Sequence, residues 1–442
     1  MEELFLRTPV PKAYFKLALP VVLGMVASMI YNLADTFFIA KTQNAALVAG
    51  VTICTPLFSL MLALGDIFGL GGSALISRLL GKKEQEAARK TSSFCFYAAL
   101  VVGVVVSVLM LLNEHPILKM LGTTNATYHY AAEFYRIMVA GSALIIVSLV
   151  PGNLLRTEGL AMESMLGTMS GTILTIILDP LFILYFHLGA TGAALATVIG
   201  YAFSDTVLLY YVCRRARFLT IELSSMKVSR QTIAAILVIG IPASITNLMQ
   251  SFGTALLNNY LASYGAATVA ALGIALKIYL IVMLVMVGFA FGAQPLIGYN
   301  YGAKQRERLK KVIHFDLLIE VVAAFSLSIV LMIFAPVIVG WFMQNPTVVR
   351  DGAQMLRYLL LTTPFVGAIL VFTTLFQSVG QALGAFAMSI SRQGVLLLLV
   401  LVIIVPIWGY TGIIIAQPLA DLGTLLIGLL FYQGFRKKLV KL

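Results

Sequence analysis

Long apolar runs alternate with short polar segments along the whole chain, and this pattern predicts a helical membrane protein. Each run is close to the roughly 20 residues that a helix needs to cross the hydrocarbon core of a bilayer. The runs are continuous rather than alternating, which argues against a membrane β-barrel. We place the twelve predicted helices at 14–39, 46–79, 92–112, 129–150, 162–186, 190–213, 233–259, 268–298, 313–334, 355–376, 386–408 and 411–433.

The second half of the chain repeats the first. Residues 71–90 align with residues 292–311 at a constant shift of 221, and in both an apolar run ends at a glycine and continues into a basic stretch. Residues 17–20 correspond in the same way to residues 239–242, with a shift of 222. A duplication of half the chain in a very apolar protein is typical of transporters built from two structural halves.

Six predicted helices precede a polar stretch at 214–230, and six follow it. We therefore predict an N-terminal lobe at 1–213, a cytoplasmic linker at 214–230 and a C-terminal lobe at 231–442. An even number of helices per lobe means that both lobes enter the membrane from the same side. The predicted fold is an all-α integral membrane protein in which about twelve transmembrane helices form two parallel six-helix lobes around a central cavity.

The distribution of charge predicts how the chain is oriented. Apolar residues make up 60% of the chain, charged residues 11%, and the mean hydropathy is +0.98, which excludes an ordinary soluble domain. Of the 30 Lys and Arg, 24 lie in the termini and in the loops after helices 2, 4, 6, 8 and 10, with Arg156 and Arg392 counted among them. This asymmetry predicts cytoplasmic termini. The net charge of +12 then faces lipid headgroups rather than nucleic acid.

Several kinds of chemistry lack their sequence signatures. No Gly-x-x-x-x-Gly-Lys-Ser/Thr phosphate loop occurs, so ATP is not the direct energy source. Neither His-Glu-x-x-His nor Gly-x-Ser-x-Gly occurs, which argues against a membrane-embedded enzyme. The three cysteines and four histidines have no metal-ligand spacing. We expect no catalytic residues, no resident metal and no cofactor.

Acidic residues inside the apolar runs are the main functional candidates. A charged side chain at the bilayer centre costs about 2.5–3.5 kcal/mol, so it must face a cavity or a partner. Asp35 lies near the end of the first run, and Met25, Ser28, Tyr31 and Asn32 fall on or near the same face of the helix. This face is suited to lining a wet cavity. The alternative is that Asp35 is simply solvated at the membrane boundary.

Asp179 directly precedes Pro180 within the fifth run. Proline removes a backbone donor, so the helix is expected to bend or break at this point. A carboxylate beside freed backbone oxygens can bind a proton or a small cation. Thr175, one turn earlier, and Thr197 on the sixth run are candidate further ligands. The alternative is a buried acid satisfied by a neighbouring helix.

The corresponding face of the seventh helix is polar but carries no acid. Its residues are Asn247, Gln250, Ser251, Thr254 and Asn258. The position of Asp35 corresponds to Leu256 or Leu257 in this half. We therefore expect ion coupling in the first half of the chain.

Soft and aromatic side chains are candidate lining for a pocket that accepts different compounds. They are Met25, Tyr31, Met249, Phe252 and Met283. Packing in the core or against lipid is the alternative. The remaining acids of the runs are assigned to structural pairing or to solvation at the interface. These are Asp66, Asp205, Glu320 and Asp421.

Four segments carry a resemblance to a known family. They read Ala-Asp-Thr-Phe-Phe-Ile at 34–39, Ile-Ile-Leu-Asp-Pro-Leu-Phe-Ile at 176–183, Gly-Ala-Thr-Gly-Ala-Ala-Leu-Ala-Thr at 189–197 and Gln-Pro-Leu-Ile-Gly-Tyr-Asn-Tyr-Gly at 294–302. In this order and spacing they resemble the multidrug and toxin extrusion (MATE) family. Residues 71–81 resemble its bacterial MepA-like and DinF-like members in particular. The resemblance covers nearly the whole chain.

The resemblance implies a two-lobed exporter that expels cationic or amphipathic compounds in exchange for protons or Na⁺. It implies cation-coupling roles for Asp35 and Asp179, which match the acids of the family's first and fifth helices, and for Thr197 on the sixth. Thr175 stands where the family often has Asn. The second-lobe acids of some Na⁺-coupled members have no counterpart in this chain. Both departures favour protons.

The predicted function is drug/H⁺ antiport by alternating access, performed by a monomer in the bacterial inner membrane on small cationic or amphipathic compounds. Na⁺-coupled antiport stays open as an alternative. Flipping of lipid-linked oligosaccharides also stays open, although a flippase needs cationic residues in its cavity. Of the basic residues not assigned to the termini or loops, those within the runs are Arg136, Lys277 and Arg357.

Overall fold

Apolar helices account for the architecture of the protein. The computed structural model describes residues 1–440, except the side chains of Ala266 and of residues 438–440, and over this range it contains helices and no strand. Nine helices of the described range are long and apolar enough to cross a membrane, and two bent pairs raise the number to eleven. The last, of 56 residues, is interrupted at Gly409, whose φ of 53° and ψ of −129° are not helical. Divided there, it supplies the twelfth segment, in agreement with the prediction.

The twelve segments are numbered in chain order. In the first lobe, α1 to α6 are Val10–Ala40, Ala45–Gly81, Gln85–Leu112, the pair Tyr128–Ala140 and Ser142–Thr157, Ala161–Tyr185 and Gly189–Arg214. In the second lobe, α7 to α12 are Arg230–Ala262, Ala267–Gly302, Arg306–Ile333, the pair Pro346–Leu361 and Thr363–Val379, 382–408 and 410–437. Two short helices that the sequence did not predict, Glu114–Met120 and Ala335–Phe342, occupy equivalent positions before α4 and α10.

Two segments are sharply bent where the sequence predicted single runs. α4 turns by 48° between its two helices at Gly141, and α10 turns by 47° at Thr362. The bend in α10 comes just before Pro364. Proline has no backbone N–H to donate, and its ring clashes with the preceding turn of a helix. Hydropathy does not report such bends, because a change of helix direction leaves the composition of the run unchanged.

Equivalent glycines mark the start of the last segment in each lobe. Gly189 and Gly409 have φ of 54° and 53°, in the left-handed region that glycine adopts at little cost. The predicted limits 386–408 and 411–433 therefore lie on either side of a sharp kink rather than a loop.

Both termini lie on one side of the bundle. Near the N-terminus, Phe5 stacks on Tyr299 close to the end of α8, with ring centroids 4.7 Å apart. Near the C-terminus, Phe435 of α12 contacts Tyr301 at the same end of α8, with centroids 6.3 Å apart. We call this the terminal side and the opposite one the distal side.

The chain between α6 and α7 is fixed on the terminal side. The carboxylate of Glu158, at the end of α4, accepts hydrogen bonds of 2.8–2.9 Å from the backbone amides of Arg217, Phe218 and Leu219. Glu222 pairs with Arg89 at the start of α3, at 3.0 Å. The connection is therefore an ordered strap over the first lobe.

Glycines bring the two lobes into backbone contact on the terminal side. A Cβ added at Gly71 of α2 would overlap Ile236 and Gly240 of α7, and one added at Gly292 of α8 would overlap Ala18 of α1. The two contacts are equivalent, because Gly71 corresponds to Gly292 in the repeat. Small residues at helix crossings permit this close approach. The crossings α2–α7 and α8–α1 are therefore related by a twofold axis.

A second equivalent pair joins α2 to α8 directly. A Cβ at Gly81 would overlap the carbonyl of Tyr299, and one at Gly302 would overlap the carbonyl of Arg78. Gly81 and Gly302 are the glycines that end the duplicated run in the sequence. The terminal side is thus sealed at the symmetry axis.

Candidate coupling and substrate site

Along most of its length, α1 has two opposite faces. Its apolar face is exposed and consists of Leu19, Leu23, Ile30, Leu33 and Phe37. On the other side of the helix, Ser28 is half-buried and Asn32 is exposed. Helical geometry places Asn32 roughly opposite the apolar face. The apolar face fits lipid, and the polar face borders the space between the lobes.

Helix α7 has the same two-faced construction. Val238, Ile241, Leu248 and Phe252 form its exposed apolar face. The opposite face carries the polar residues singled out in the sequence, of which Gln250 and Ser251 are exposed and Asn247 and Thr254 half-buried. Since the terminal halves of α1 and α7 are buried against the opposite lobe, the polar faces define a cleft that opens on the distal side.

The first lobe brings four of the predicted site residues together. The hydroxyl of Tyr31 on α1 is 3.0 Å from the hydroxyl of Thr197 on α6. The charges of Asp35 on α1 and Asp179 on α5 interact with each other, and both act on Tyr31. We call Tyr31, Asp35, Asp179 and Thr197 the first-lobe cluster.

The two carboxyl groups of the cluster differ in exposure. Asp35 is half-buried, whereas Asp179 is fully buried. Both oxygens of Asp179 and Oδ1 of Asp35 are buried and have no hydrogen-bond partner among the described residues. Buried carboxylates without partners are costly, and two close together cannot both keep their charge cheaply. The arrangement is suited to taking up a proton or a small cation.

The remaining two predictions for this region concern Thr175 and the helix after Asp179. The Thr175 hydroxyl donates to the carbonyl of Gly171 at 3.0 Å and lies against Gly200 of α6. It is therefore engaged in the α5–α6 contact. After Pro180 the α-helix changes to a π-helical turn, Leu181–Tyr185, in line with the predicted irregularity. Such turns recur at functional sites.

The second-lobe candidates fall into two environments. Asn247 donates a 2.9 Å hydrogen bond to Asp66 on α2, so it bridges the lobes. Thr254 donates to the carbonyl of Gln250 at 3.0 Å on the cleft face of α7. Met283 is 7% exposed and lies inside the second lobe, away from that face. Met25, by contrast, is half-buried on α1.

Arg392 corrects the sequence interpretation. It was assigned to a loop, but it lies in a π-helical turn of α11, Ser391–Val395. Its Nε is 2.9 Å from Asp421 Oδ1 on α12, and its Nη2 donates to the Tyr279 hydroxyl at 2.7 Å. The opposite charge of Asp421 makes burial of the guanidinium possible. The second lobe is therefore charged in its interior, and 23 rather than 24 basic residues follow the charge asymmetry.

A signal for this pair existed in the sequence. Arg392 and Asp421 have opposite charges and fall in neighbouring apolar segments of the sequence. In the structure, the side chain of Asp421 is only 1% exposed. The other basic residues of the runs are peripheral. Arg136 forms a two-pronged ion pair with Glu114 at 2.7 and 2.8 Å, and Lys277 and Arg357 are exposed.

These features define the class of the protein. Two lobes of six membrane-crossing helices, related by a twofold axis and sealed on one side of a polar cleft, form the architecture of a membrane transporter. The family model described as MatE matches the chain twice, at residues 20–181 and 242–403. The chain therefore belongs to the MatE family, and the resemblance found in the sequence is confirmed.

Individual relatives cover nearly the whole chain. The multidrug export protein MepA of Staphylococcus aureus (strain NCTC 8325 / PS 47) is 30% identical over 428 residues, which are 96% of this chain and 94% of that protein. A crystal structure of MATE in complex with MaL6 matches with a TM-score of 0.94 and 25% identity, over 100% of this chain and 99% of its own. An outward-facing multidrug resistance MATE family transporter of the MOP superfamily matches with a TM-score of 0.93 and 25% identity, over 99% and 98%.

Proposed function

We propose that this protein is a multidrug efflux transporter that exports cationic or amphipathic compounds in antiport with H⁺. The observation that carries the proposal is the first-lobe cluster, in which a half-exposed acid, Asp35, interacts with a fully buried acid, Asp179, beside the polar cleft. The similarity to MepA, which is described as a multidrug export protein, supports drugs as the class of substrate.

Alternating access gives the cluster its role. With the lobes sealed on the terminal side, the cleft and Asp35 are accessible from the distal side. A proton that binds to Asp35 or Asp179 there changes the charge of the α1–α5–α6 contact and favours the return of the lobes. Substrate and proton need only favour different states or compete for one site. Thr175 and Thr197 complete this proposed cation-coupling set.

Substrate is proposed to bind in the cleft between α1 and α7. The candidate contacts are Met25, Ser28, Tyr31, Asn32, Asn247, Gln250 and Thr254, with Met283 behind them in the second lobe. Because Asn247 is bonded to Asp66 across the lobes, a compound that reaches this depth competes with an inter-lobe hydrogen bond.

Protons rather than Na⁺ are favoured as the coupling ion. A sodium ion that has lost its water needs several oxygen ligands, and the hydroxyl of Thr175 lies in the α5–α6 contact, against the backbone of Gly171 and Gly200. A group of three or more His, Cys, Asp or Glu that could hold a metal ion is absent from the described residues. A proton needs only one carboxyl oxygen.

We further propose that the terminal side faces the cytoplasm of a bacterial cell and that the protein acts as a monomer in the inner membrane. The excess of Lys and Arg on the terminal side supports this orientation. The likeness to an outward-facing MATE transporter agrees with a cleft that opens away from the termini.

The test is ethidium movement in liposomes under an imposed pH gradient and, separately, a Na⁺ gradient. We expect movement driven by the pH gradient, its loss in Asp35→Asn, and its retention in the control Glu86→Gln, which removes an exposed acid that pairs with Lys90. Full proton-driven antiport in Asp35→Asn would contradict the proposed coupling role of the first-lobe cluster.

The same assay separates the alternatives. Movement driven only by Na⁺ would make the protein a Na⁺-coupled antiporter. Movement under neither gradient would favour another substrate class, lipid-linked oligosaccharides included. The peripheral positions of Arg136, Lys277 and Arg357 argue against that class, because a pyrophosphate headgroup requires cationic side chains inside the cleft.

A further inference from the structure

A second pair of acids lies at the contact between the lobes, far along the chain from the first-lobe cluster. Asp316 and Glu320 are one turn apart on α9, and both are fully buried. The Tyr14 hydroxyl of α1, in the other lobe, donates a 2.8 Å hydrogen bond to Asp316 Oδ1. This bond joins the first lobe to the second in their terminal halves.

The acids of this contact have few partners. Both carboxyl oxygens of Glu320 and Oδ2 of Asp316 lack a hydrogen-bond partner among the described residues. The charges of the two acids act on each other, and both act on Tyr14. From α8, the Ala290 backbone approaches Glu320 without the geometry of a hydrogen bond. The ion pairs of the described residues include neither acid.

The surroundings of Tyr14 are aromatic and dry. Its ring contacts Phe15, Phe289 and Phe315, with centroids 5.5, 6.3 and 5.2 Å away. Two adjacent carboxylates in such a site cannot both be ionised without a counter-charge, because burial and mutual repulsion act together. Such a pair is stable only when at least one of the two acids is neutralised by a bound proton or another cation.

The first lobe shows that this arrangement is not required by the fold. At the positions equivalent to Asp316, Glu320 and Tyr14, the repeat has Cys95, Ala99 and Ile236, and all three are fully buried. Burial at these positions therefore does not require acids in the first lobe. The acids are present on only one of the two repeat-related helices.

We propose that Asp316 and Glu320 form a proton-binding site that latches the lobes together on the terminal side. One proton is held by the carboxyl pair while Tyr14 bridges from α1 to Asp316. When the lobes separate on this side, the Tyr14 bond breaks, water reaches the acids, and the proton leaves to the terminal side. A proton is favoured over Na⁺ because the packed rings leave two carboxyls and one phenol as the oxygen donors.

The sign of the pH dependence follows from where the proton is bound. At the latch, the sealed state holds one proton more than the open state, so raising the pH favours opening through this site, whereas deprotonation of the first-lobe cluster acts against opening. For one linked proton, the ratio of open to sealed protein rises at most about tenfold per pH unit. The groups that face the latch are Tyr14 from α1 and the two acids of α9, with the Ala290 backbone from α8.

The experiment measures the separation of the lobes as a function of pH. Spin labels are placed at the equivalent exposed positions Glu86→Cys and Glu307→Cys, in full-length protein whose native cysteines at 54, 95 and 213 are replaced. We expect the long-distance population to rise with pH. The experiment is done in protein with Asp35→Asn and Asp179→Asn, in which the first-lobe cluster no longer takes up protons, and the rise is expected to be lost when Glu320→Gln is added.

Infrared spectroscopy gives a direct reading of the bound proton. The carbonyl stretch of a protonated carboxylic acid is expected at neutral pH and should weaken in Glu320→Gln or Asp316→Asn. If a variant at either acid fails to fold, Tyr14→Phe keeps the ring packing and should shift the midpoint of opening to lower pH. In that background, a pH response unchanged by Glu320→Gln and by Tyr14→Phe would overturn the proposal, as would the absence of any rise with pH. Closure by Na⁺ at constant pH would also overturn it, in favour of a sodium site.

Discussion

At the scale of residues, the partners of each buried charge decide what that charge does. Asp421 accepts from Arg392, Gln417 and Thr362 at 2.8–2.9 Å, so its charge is fully satisfied. Asp179, at the same depth of burial, has no hydrogen-bond partner among the described residues. The first acid can support structure, and the second is available for ion binding.

The Arg392–Asp421 pair is expected to be structural, and Asp421→Asn tests this. The substitution keeps the shape of the side chain but leaves a buried guanidinium unpaired, which costs about 3–5 kcal/mol. Thermal unfolding in detergent measures the effect. The double variant Arg392→Met, Asp421→Leu removes both charges and should recover most of the lost stability. An unfolding temperature of Asp421→Asn equal to that of the wild type would contradict the prediction.

At the scale of helices, small residues determine how closely the lobes approach. α8 carries one glycine at a tight crossing with the other lobe and another glycine in open space. Gly292 faces Ala18 of the first lobe, whereas a Cβ at Gly273 would meet nothing within 4 Å. One helix therefore offers a contact glycine and a free glycine for comparison.

Gly292→Ala is expected to push α8 away from α1 and to populate the state that is open on the terminal side. The added methyl has no room, and overpacking of this kind costs about 1–3 kcal/mol. Spin-label distances between positions 86 and 307 measure the shift. Gly273→Ala is the matched control and should be neutral or stabilising by up to about 1 kcal/mol, because alanine is the better helix former. Equal distances in the two variants would argue against a tight crossing at Gly292.

At the scale of the whole molecule, one conformation explains the pattern of exposure. The repeat-related contacts at Gly71, Gly292, Gly81 and Gly302 seal the terminal side. The polar faces of α1 and α7 are left facing a cleft on the distal side. To open the terminal side and close the distal side, the lobes must break the backbone contacts and the Tyr14–Asp316 hydrogen bond together.

Thiol labelling tests this conformation. In protein without native cysteines, Gln250→Cys is expected to react with a membrane-impermeant maleimide added on the distal side, because Gln250 is exposed in the cleft. Ser77→Cys should resist reagent from both sides, since Ser77 is 1% exposed and packs beside Gly298 between the lobes. Rapid labelling of Ser77→Cys from the terminal side would show that the opposite conformation predominates.

The sequence identified part of the candidate site for a clear physical reason. Acids in apolar runs are costly, so Asp35 and Asp179 could be recognised without a structure, and Thr197 followed from the family resemblance. Their roles in coupling stay predictions. The burial of Arg392 and the bridge from Asn247 to Asp66 were missed, because both depend on partners on another helix. Asp316 was not singled out, because its importance comes from Tyr14, 302 residues away.

The sequence by itself determined the helical membrane character of the protein, its duplication and its family, because apolar length, repeat spacing and motif order are local properties of the chain. Only the tertiary structure decided which side is sealed, where α4 and α10 bend, and which charges are paired. These depend on contacts between helices distant in the chain, and hydropathy carries no information about them. The two lobes, nearly equivalent in sequence pattern, thereby differ in where their buried acids lie and in which of them have partners.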